Sequence, residues 1–209
     1  MMETKKQAIL EKVAELFMRY GIKSVTMDDV AKALKMSKKT LYTFVSDKGD
    51  LVRQVMAGHC EIEMTACELI RENNLDNAMD ELLEITKFVT SQIKNIHPSI
   101  HYDLEKYYPE AWGELERHKE HNIYGMVVDN LERGIKQGLY RENINIGIIG
   151  RLYVYKLDMF FDPEVFPPKE FDFLEVYMEM MRYHIRGVAS KKGLAYLEKK
   201  AAQEKLNFN

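Results

Sequence analysis

Residues 26–48 read TMDDVAKALKMSKKTLYTFVSDK, and this stretch decides the reading of the chain. Val25 and Val30 flank Thr26 as a hydrophobic staple flanks a helix N-cap. The Thr26 hydroxyl can accept the amide of Asp29, and acids at 28 and 29 suit the positive end of a helix. Val30, Ala31 and Leu34 supply one apolar stripe, which Lys35-Met36 interrupts. Ser37 is a second N-cap and opens a short helix over 38–44. Leu41 and Phe44 face inward there, and Lys38, Lys39, Thr40, Tyr42 and Thr43 face outward. A cationic, hydroxyl-rich helix too short to be stable alone is what a major-groove reading head requires.

Val30-Ala31, Ser37-Lys38, Leu41-Tyr42, Phe44, Lys48 and Leu51 stand at the spacing of the N-terminal domain of the TetR family of transcriptional regulators, which this segment resembles. The upstream helix fits as well, with Ile9, Val13, Leu16, Phe17 and Tyr20 on one face and Gly21 ending it. Two positions depart from the pattern. Lys35 stands where the family usually has glycine, so it is expected to adopt a left-handed conformation at a cost of ~1–2 kcal/mol. Val45 replaces a second aromatic behind the recognition helix.

The chain has 209 residues, enough for a small head and a larger body with a real core. Its formal net charge is −3, but the distribution is uneven. Residues 1–53 carry 11 Lys/Arg against 7 Asp/Glu, and the remainder carries 19 against 26. A basic head on an acidic body is the asymmetry expected when only one end meets phosphate. No apolar run reaches the ~18–20 residues of a membrane span. The start, MMETKKQAIL, lacks a signal-peptide core, so a cytoplasmic location and no membrane partner are expected. Cys60 and Cys67 sit seven apart on one helix, about 10 Å of rise, too far for a disulfide within it.

The whole chain reads as all-α. Helices are expected near 4–20, 27–34, 38–44, 48–72, 77–95, 99–107, 110–136, 145–161, 170–188 and 193–206. All five prolines lie beyond residue 97, at helix boundaries. The expected organisation is a three-helix helix-turn-helix DNA-binding domain over 1–50 and a larger helical effector-binding and dimerisation domain over 51–209. Asp47 caps the helix that joins them, with Leu51, Val55 and Met56 packing on the head and Ile62, Leu69 and Ile70 in the body. Residues 108–112 (YPEAW), 133–141 (RGIKQGLYR) and 186–189 (RGVA) also resemble segments of TetR-type effector domains.

Lys38, Lys39, Thr40 and Thr43 are the candidates for contact with base edges, because lysine donates to guanine and a threonine methyl meets that of thymine. Thr26, Ser37, Tyr42 and Lys48 are candidates for phosphate, carrying hydroxyls or charge at helix N-termini. The resemblance implies that Tyr42 and Lys48 clamp the DNA backbone.

Most Met and aromatic residues of the body are explained by core packing. A Met-rich, aromatic set also suits an adaptable pocket, and the resemblance implies an effector among the central helices. The candidates are Phe88, Tyr102, Trp112, Tyr124, Val127, Tyr155 and Met159. Nearby Asp103, Glu105 and Asp158 leave a cationic effector open.

The last long helices have broad apolar faces. One holds Ile146, Ile149, Leu152, Tyr153, Leu157 and Phe160, the other Phe173, Leu174, Tyr177, Met180, Met181 and His184. The resemblance implies a four-helix interface between two copies, with Ile149, Leu152, Tyr153, Phe173, Tyr177, Met180, Met181 and His184 as its candidates.

Glu114, His118 and His121 can share one helix face, and His97 and His101 flank a proline. The surroundings are strongly charged and a solvated face explains them, so no metal site is assigned. No nucleotide-binding, nucleophile-elbow, zinc-protease or phosphate-loop pattern is present, so no catalytic residue and no cofactor is expected.

The resulting expectation is a homodimeric transcriptional regulator, read as a repressor, that binds a palindromic double-stranded DNA operator and is released by a small-molecule effector. The rivals are a regulator controlled by protein contact or thiol chemistry, and a helical ligand or metal carrier that does not bind DNA.

Overall fold

The computed structural model describes residues 2–94 and 96–204. In chain order its helices are α1 (Met2–Tyr20), α2 (Met27–Ala33), α3 (Lys38–Leu41), α4 (Lys48–Asn73), α5 (Ala78–Ile93), α6 (Ile100–Tyr107), α7 (Pro109–Arg117), α8 (Tyr124–Lys136), α9 (Ile146–Phe161), α10 (Phe173–Val188) and α11 (Lys191–Glu204). A π-helical turn, His118–Ile123, separates α7 from α8. Among the described residues the only β pairing is an isolated bridge between Tyr140 and Ala189. The expected helix end at 205–206, and residue 95, lie outside the described residues.

Two expected helices are corrected. The recognition helix stops at Leu41 rather than running to residue 44, and Tyr42 is its C-cap. Beyond it the chain tightens into bonds that span three residues instead of four, Thr43 N–H to Thr40 O at 3.1 Å and Phe44 N–H to Leu41 O at 2.9 Å. The expected single helix over 110–136 is broken by the π turn, whose wider i→i+5 bonding shifts the face that follows.

The chain divides into two compact units. The first takes residues up to Thr65 together with 96–118; the second takes Ala66–Lys94 and the chain from Lys119 onward. In the first unit, α1 buries Ile9, Val13 and Phe17 at four-residue spacing. It ends at Gly21, whose φ of +78° lies in the left-handed region. A Cβ there would also come within 2.6 Å of Ser99 Oγ, so both backbone and space require glycine.

The core of this unit gathers Val13, Phe17, Ile22, Val30, Leu41, Val45, Leu51, Val52 and Val55 from the head and the start of α4. It also takes Ile100, Leu104 and Ala111 from α6 and α7. Each fully buried Phe or Leu contributes about 1.5–3 kcal/mol of transfer free energy, so α6 and α7 are integral to the head and not attachments to it.

The second unit packs α5, α8, α9, α10 and α11 with the end of α4. Its polar anchor is Glu81, which is buried and ion-paired with Arg133. Asp129 joins Arg133 at 2.9 Å and Arg71 at 3.1 Å. A buried charge of this kind persists only when paired. Beside it the Tyr140 hydroxyl lies 2.9 Å from Asn130 Oδ1 and 3.0 Å from the Ala78 carbonyl, and Asn130 Nδ2 donates to that carbonyl at 2.9 Å. Gly134 makes room for the Tyr140 ring, since a Cβ at 134 would lie 2.1 Å from Tyr140 Cδ2.

Candidate nucleic-acid interface

The α2–α3 hairpin is fixed by local hydrogen bonds. Thr26 and Asp29 form a reciprocal capping box: the Asp29 amide donates to Thr26 Oγ1 at 3.2 Å, and the Thr26 amide donates to Asp29 Oδ2 at 2.9 Å. The Thr26 hydroxyl donates to the same carboxylate at 2.6 Å, and these bonds hold Asp29 below the ordinary carboxylate range. Val25 and Val30 are both buried, as a staple requires.

At the other end of α2, Lys35 N–H reaches Lys32 O at 3.1 Å and Met36 N–H reaches Ala31 O at 3.0 Å. This is a complete Schellman motif, and it places Lys35 at φ +51°, the left-handed conformation anticipated there. Ser37 then accepts the Thr40 amide at 3.0 Å and starts α3.

The outward side chains of this hairpin differ in what they hold. Ser37 Oγ and Thr40 Oγ1 lie 2.9 Å apart, and Thr43 Oγ1 donates to Thr40 O at 2.7 Å. With Thr26 on Asp29, these hydroxyl residues already have local partners. Lys38 Nζ sits 2.7 Å from Asp28 Oδ2, and that bond raises its pKa. Lys39 is exposed and forms no ion pair among the described residues; Tyr42 is 46% exposed beside it. Lys39 and Tyr42 are thus presented to solvent on the outer face of the hairpin.

Lys48, a candidate for phosphate, has contacts within the head. Its ammonium donates to the Lys23 carbonyl at 3.2 Å and stands 5.8 Å above the Tyr108 ring. Partial burial lowers its pKa. Lys23 is held in turn by α6: its amide donates to Asp103 Oδ2 at 2.9 Å, and its ammonium donates to Tyr107 Oη at 2.7 Å, which lowers the Tyr107 pKa. Ser99 Oγ donates to the same Asp103 oxygen at 3.1 Å. Lys23, Asp28, Asp103, Tyr107 and Tyr108 stand beside these candidates, and sequence reasoning placed none of them at this interface. A cleft of about 480 Å³ opens beside them, lined by Ser46, Asp47, Gly49, Asp50, Arg53, Tyr107, Tyr108, Pro109, Glu110 and Ala111. None of the nominated effector residues lines it.

Residues 9–55, which hold this entire hairpin, match the family model described as bacterial regulatory proteins, tetR family. The head is a TetR-type helix-turn-helix domain. The chain is similar to YvaF, an uncharacterized HTH-type transcriptional regulator of Bacillus subtilis (strain 168), with 29% identity over 157 residues, 75% of this chain and 80% of the relative. Its fold is that of a TetR-family regulator from Agrobacterium tumefaciens, with a TM-score of 0.71 at 14% identity over 90% of this chain and 99% of that one. A regulator from Saccharomonospora viridis, solved in complex with choline, gives a TM-score of 0.67 at 12% identity over 90% and 100% of the two chains.

The effector candidates fall in both units. Tyr102 and Trp112 lie in the first unit. Trp112 packs against the head core with its ring 4.7 Å from His101, and Tyr102 is exposed. Phe88, Tyr124, Val127, Tyr155 and Met159 lie in the second unit. Phe88, Tyr124 and Val127 are partly buried there, whereas Tyr155 and Met159 are more than half exposed. Of the nearby acids, Asp103 holds Lys23 and Asp158 is ion-paired with the buried Lys119.

The dimer candidates divide by face. Tyr153, Tyr177, Met181 and His184 are buried within the unit, with the Tyr153 ring 4.9 Å from that of His184. Ile149, Phe173 and Met180 are partly buried, and Leu152 points outward. The outward row on α9 is Ile148, Leu152, Tyr155 and Met159, each more than half exposed. Among the histidines, His118 is buried 3.3 Å from Glu63 while His121 is exposed, so the π turn separates the pair that an unbroken helix would have aligned. No group of three metal-ligating side chains converges among the described residues, and no helix there is long and apolar enough to cross a membrane.

Proposed function

We propose that the protein is a homodimeric, ligand-responsive repressor whose two heads read a palindromic operator and release it when a small-molecule effector binds the second unit. The observation that carries the DNA reading is the exposed outer face of α3 and its C-cap, where Lys39 and Tyr42 face solvent on a hairpin held by two N-caps and a Schellman motif. Lys39 is the principal candidate for a base edge, with Lys38, Thr40 and Thr43 beside it. Tyr42, Thr26 and Ser37 flank it as phosphate contacts. Lys48 braces the Lys23 loop from the same side with one of its three N–H donors, which leaves donors for phosphate.

Two copies are needed because a four-residue recognition helix reads too few bases alone. Heads ~34–36 Å apart would read successive half-sites. The outward α9 row of Ile148, Leu152, Tyr155 and Met159 supports self-association, since apolar side chains in line on one helix face need a covering surface. On this reading Tyr155 and Met159 serve the interface, Tyr102 and Trp112 belong to the first unit, and the effector set of the second unit narrows to Phe88, Tyr124 and Val127. The choline complex of the Saccharomonospora viridis regulator supports a small-molecule effector for this chain too. A coupling of ~1–3 kcal/mol between effector and DNA would change operator occupancy ~5–150-fold. Thiol control is disfavoured, because burial pushes the Cys60 thiol up to about 12 and Cys67 is also buried.

Footprinting on the upstream DNA at two salt concentrations tests the reading. The expected result is a protected palindrome that fades with salt. Light scattering of the wild type and of Leu152→Glu tests the dimer: the wild type should weigh two chains and the variant one. A wild-type monomer that still protects a palindrome would remove the α9 interface from the model of action.

A further inference from the structure

The first turn of α2 carries two acids with different roles. Asp29 closes the capping box with Thr26. Asp28 takes no part in it, and its carboxylate sits 2.7 Å from the ammonium of Lys38, the first residue of the recognition helix. Both side chains are open to water, 74% exposed for Asp28 and 48% for Lys38. Exposed pairs of this kind contribute little to folding; the first turn of α2 suits an acid at 28, but stability does not explain its pairing with the recognition helix on the face that would meet a polyanion. We propose that Asp28 is a specificity-determining residue: it holds Lys38 away from DNA until a matching site offers a better partner.

This role of Asp28 rests on the DNA-binding reading above and follows from charge. In the free protein Lys38 is neutralised in place and Lys39 is left to make the first contact. A random duplex offers Lys38 only a mobile phosphate, a partner no better than the carboxylate it already has. If Lys38 leaves, Asp28 stands uncompensated against the phosphates, and like charges brought together disfavour that complex. A cognate site offers a guanine edge or a well-placed phosphate to Lys38, which offsets the exposed carboxylate. Asp28 therefore penalises incorrect sites more than correct ones and removes one phosphate contact from non-specific binding.

The test measures fluorescence anisotropy with a duplex selected from a random library and a random-sequence duplex of equal length, across several salt concentrations. Wild type, Asp28→Asn, Asp28→Glu, Lys38→Ala and the double variant Asp28→Asn/Lys38→Ala are compared. Asp28→Asn should bind the random duplex about 5–10-fold more tightly and the selected duplex no more than about twofold more tightly, so the specificity ratio falls. Its salt dependence on random DNA should steepen by about 0.9, the slope of one phosphate contact. Asp28→Glu should keep the wild-type ratio, and the gain from Asp28→Asn should shrink when Lys38 is already alanine. Equal gains on both duplexes, no gain at all, or the same gain without Lys38 would each overturn the proposal while leaving the head a DNA reader. Absence of salt-dependent binding by the wild type to every duplex would overturn the DNA reading itself, and this inference with it.

Discussion

Asp103 accepts the backbone N–H of Lys23 at 2.9 Å although 80 residues separate them. Asp103 is 4% exposed, and Ser99 Oγ fills the same oxygen's second site. The bond ties the loop between α1 and α2 to α6, next to the point where Lys48 reaches the Lys23 carbonyl. The reading hairpin is thus braced by a segment that no local pattern associates with it.

Replacing Asp103 with alanine leaves the Lys23 amide without its acceptor in a partly buried site. A loss of about 1–3 kcal/mol is expected, read as a lower urea midpoint with an unchanged slope. Asp103→Asn keeps a carbonyl acceptor and should lose less. Equal stability of the alanine variant and the wild type would mean that water satisfies the Lys23 amide.

Lys35 occupies φ +51° as a non-glycine residue. Glycine there would remove a strain of ~1–2 kcal/mol but add flexibility to the unfolded chain, worth roughly 0.5–1 kcal/mol. Lys35→Gly should therefore raise stability by about 0.5–1 kcal/mol, seen as a higher thermal midpoint. A lower midpoint would show that the Schellman turn holds Lys35 without strain.

Lys39 and Tyr42 should separate by kind of contact. Lys39→Ala is expected to change which base is preferred at one operator position, at about 1–3 kcal/mol for a good base pairing. Tyr42→Phe should weaken binding to all duplexes by a similar factor, because a phosphate contact carries no sequence information. A randomised-site selection with each variant distinguishes them, and a uniform loss for Lys39→Ala would reassign it to the DNA backbone.

His184 is buried beside Tyr153, and burial with the nearby Lys156 charge lowers its pKa to about 4. The ordinary value is about 6.5, so between those limits the unfolded chain binds a proton that the folded chain refuses. Its contribution is complete above about pH 6.5 and is lost as pH falls toward 4, by on the order of 3 kcal/mol. His184→Phe should flatten that part of the stability profile. An unchanged profile in the variant would place the acid sensitivity on other groups.

The head was legible in the sequence because its determinants lie within a few residues of each other. Thr26 with Asp29, Ser37 with Thr40, and the left-handed Lys35 are all settled by caps and turns closed over three to five positions. The length of α3 was overread, because Leu41 and Phe44 keep a helical spacing through a turn whose bonds already span three residues. On α9 the sequence face mixed inward and outward residues, placing Leu152 with Tyr153 and Phe160. IGIIGRLYVYKLDMFF is apolar nearly all round, and only packing reveals that Tyr153 and Phe160 turn inward while Ile148, Leu152, Tyr155 and Met159 turn out.

From residues alone, then, came the all-helical class, the helix-turn-helix and its capped boundaries, and the cationic outer face of α3, since each depends on local hydrogen bonds and periodic burial. Tertiary structure alone decided that α6 and α7 complete the head core, that Lys48 turns onto the Lys23 loop, that Lys38 is held by Asp28, and that the π turn parts His118 from His121. Where a long side chain points is set by the nearest partner in space. For Lys48, and for the α6 segment behind it, that partner lies tens of residues away along the chain.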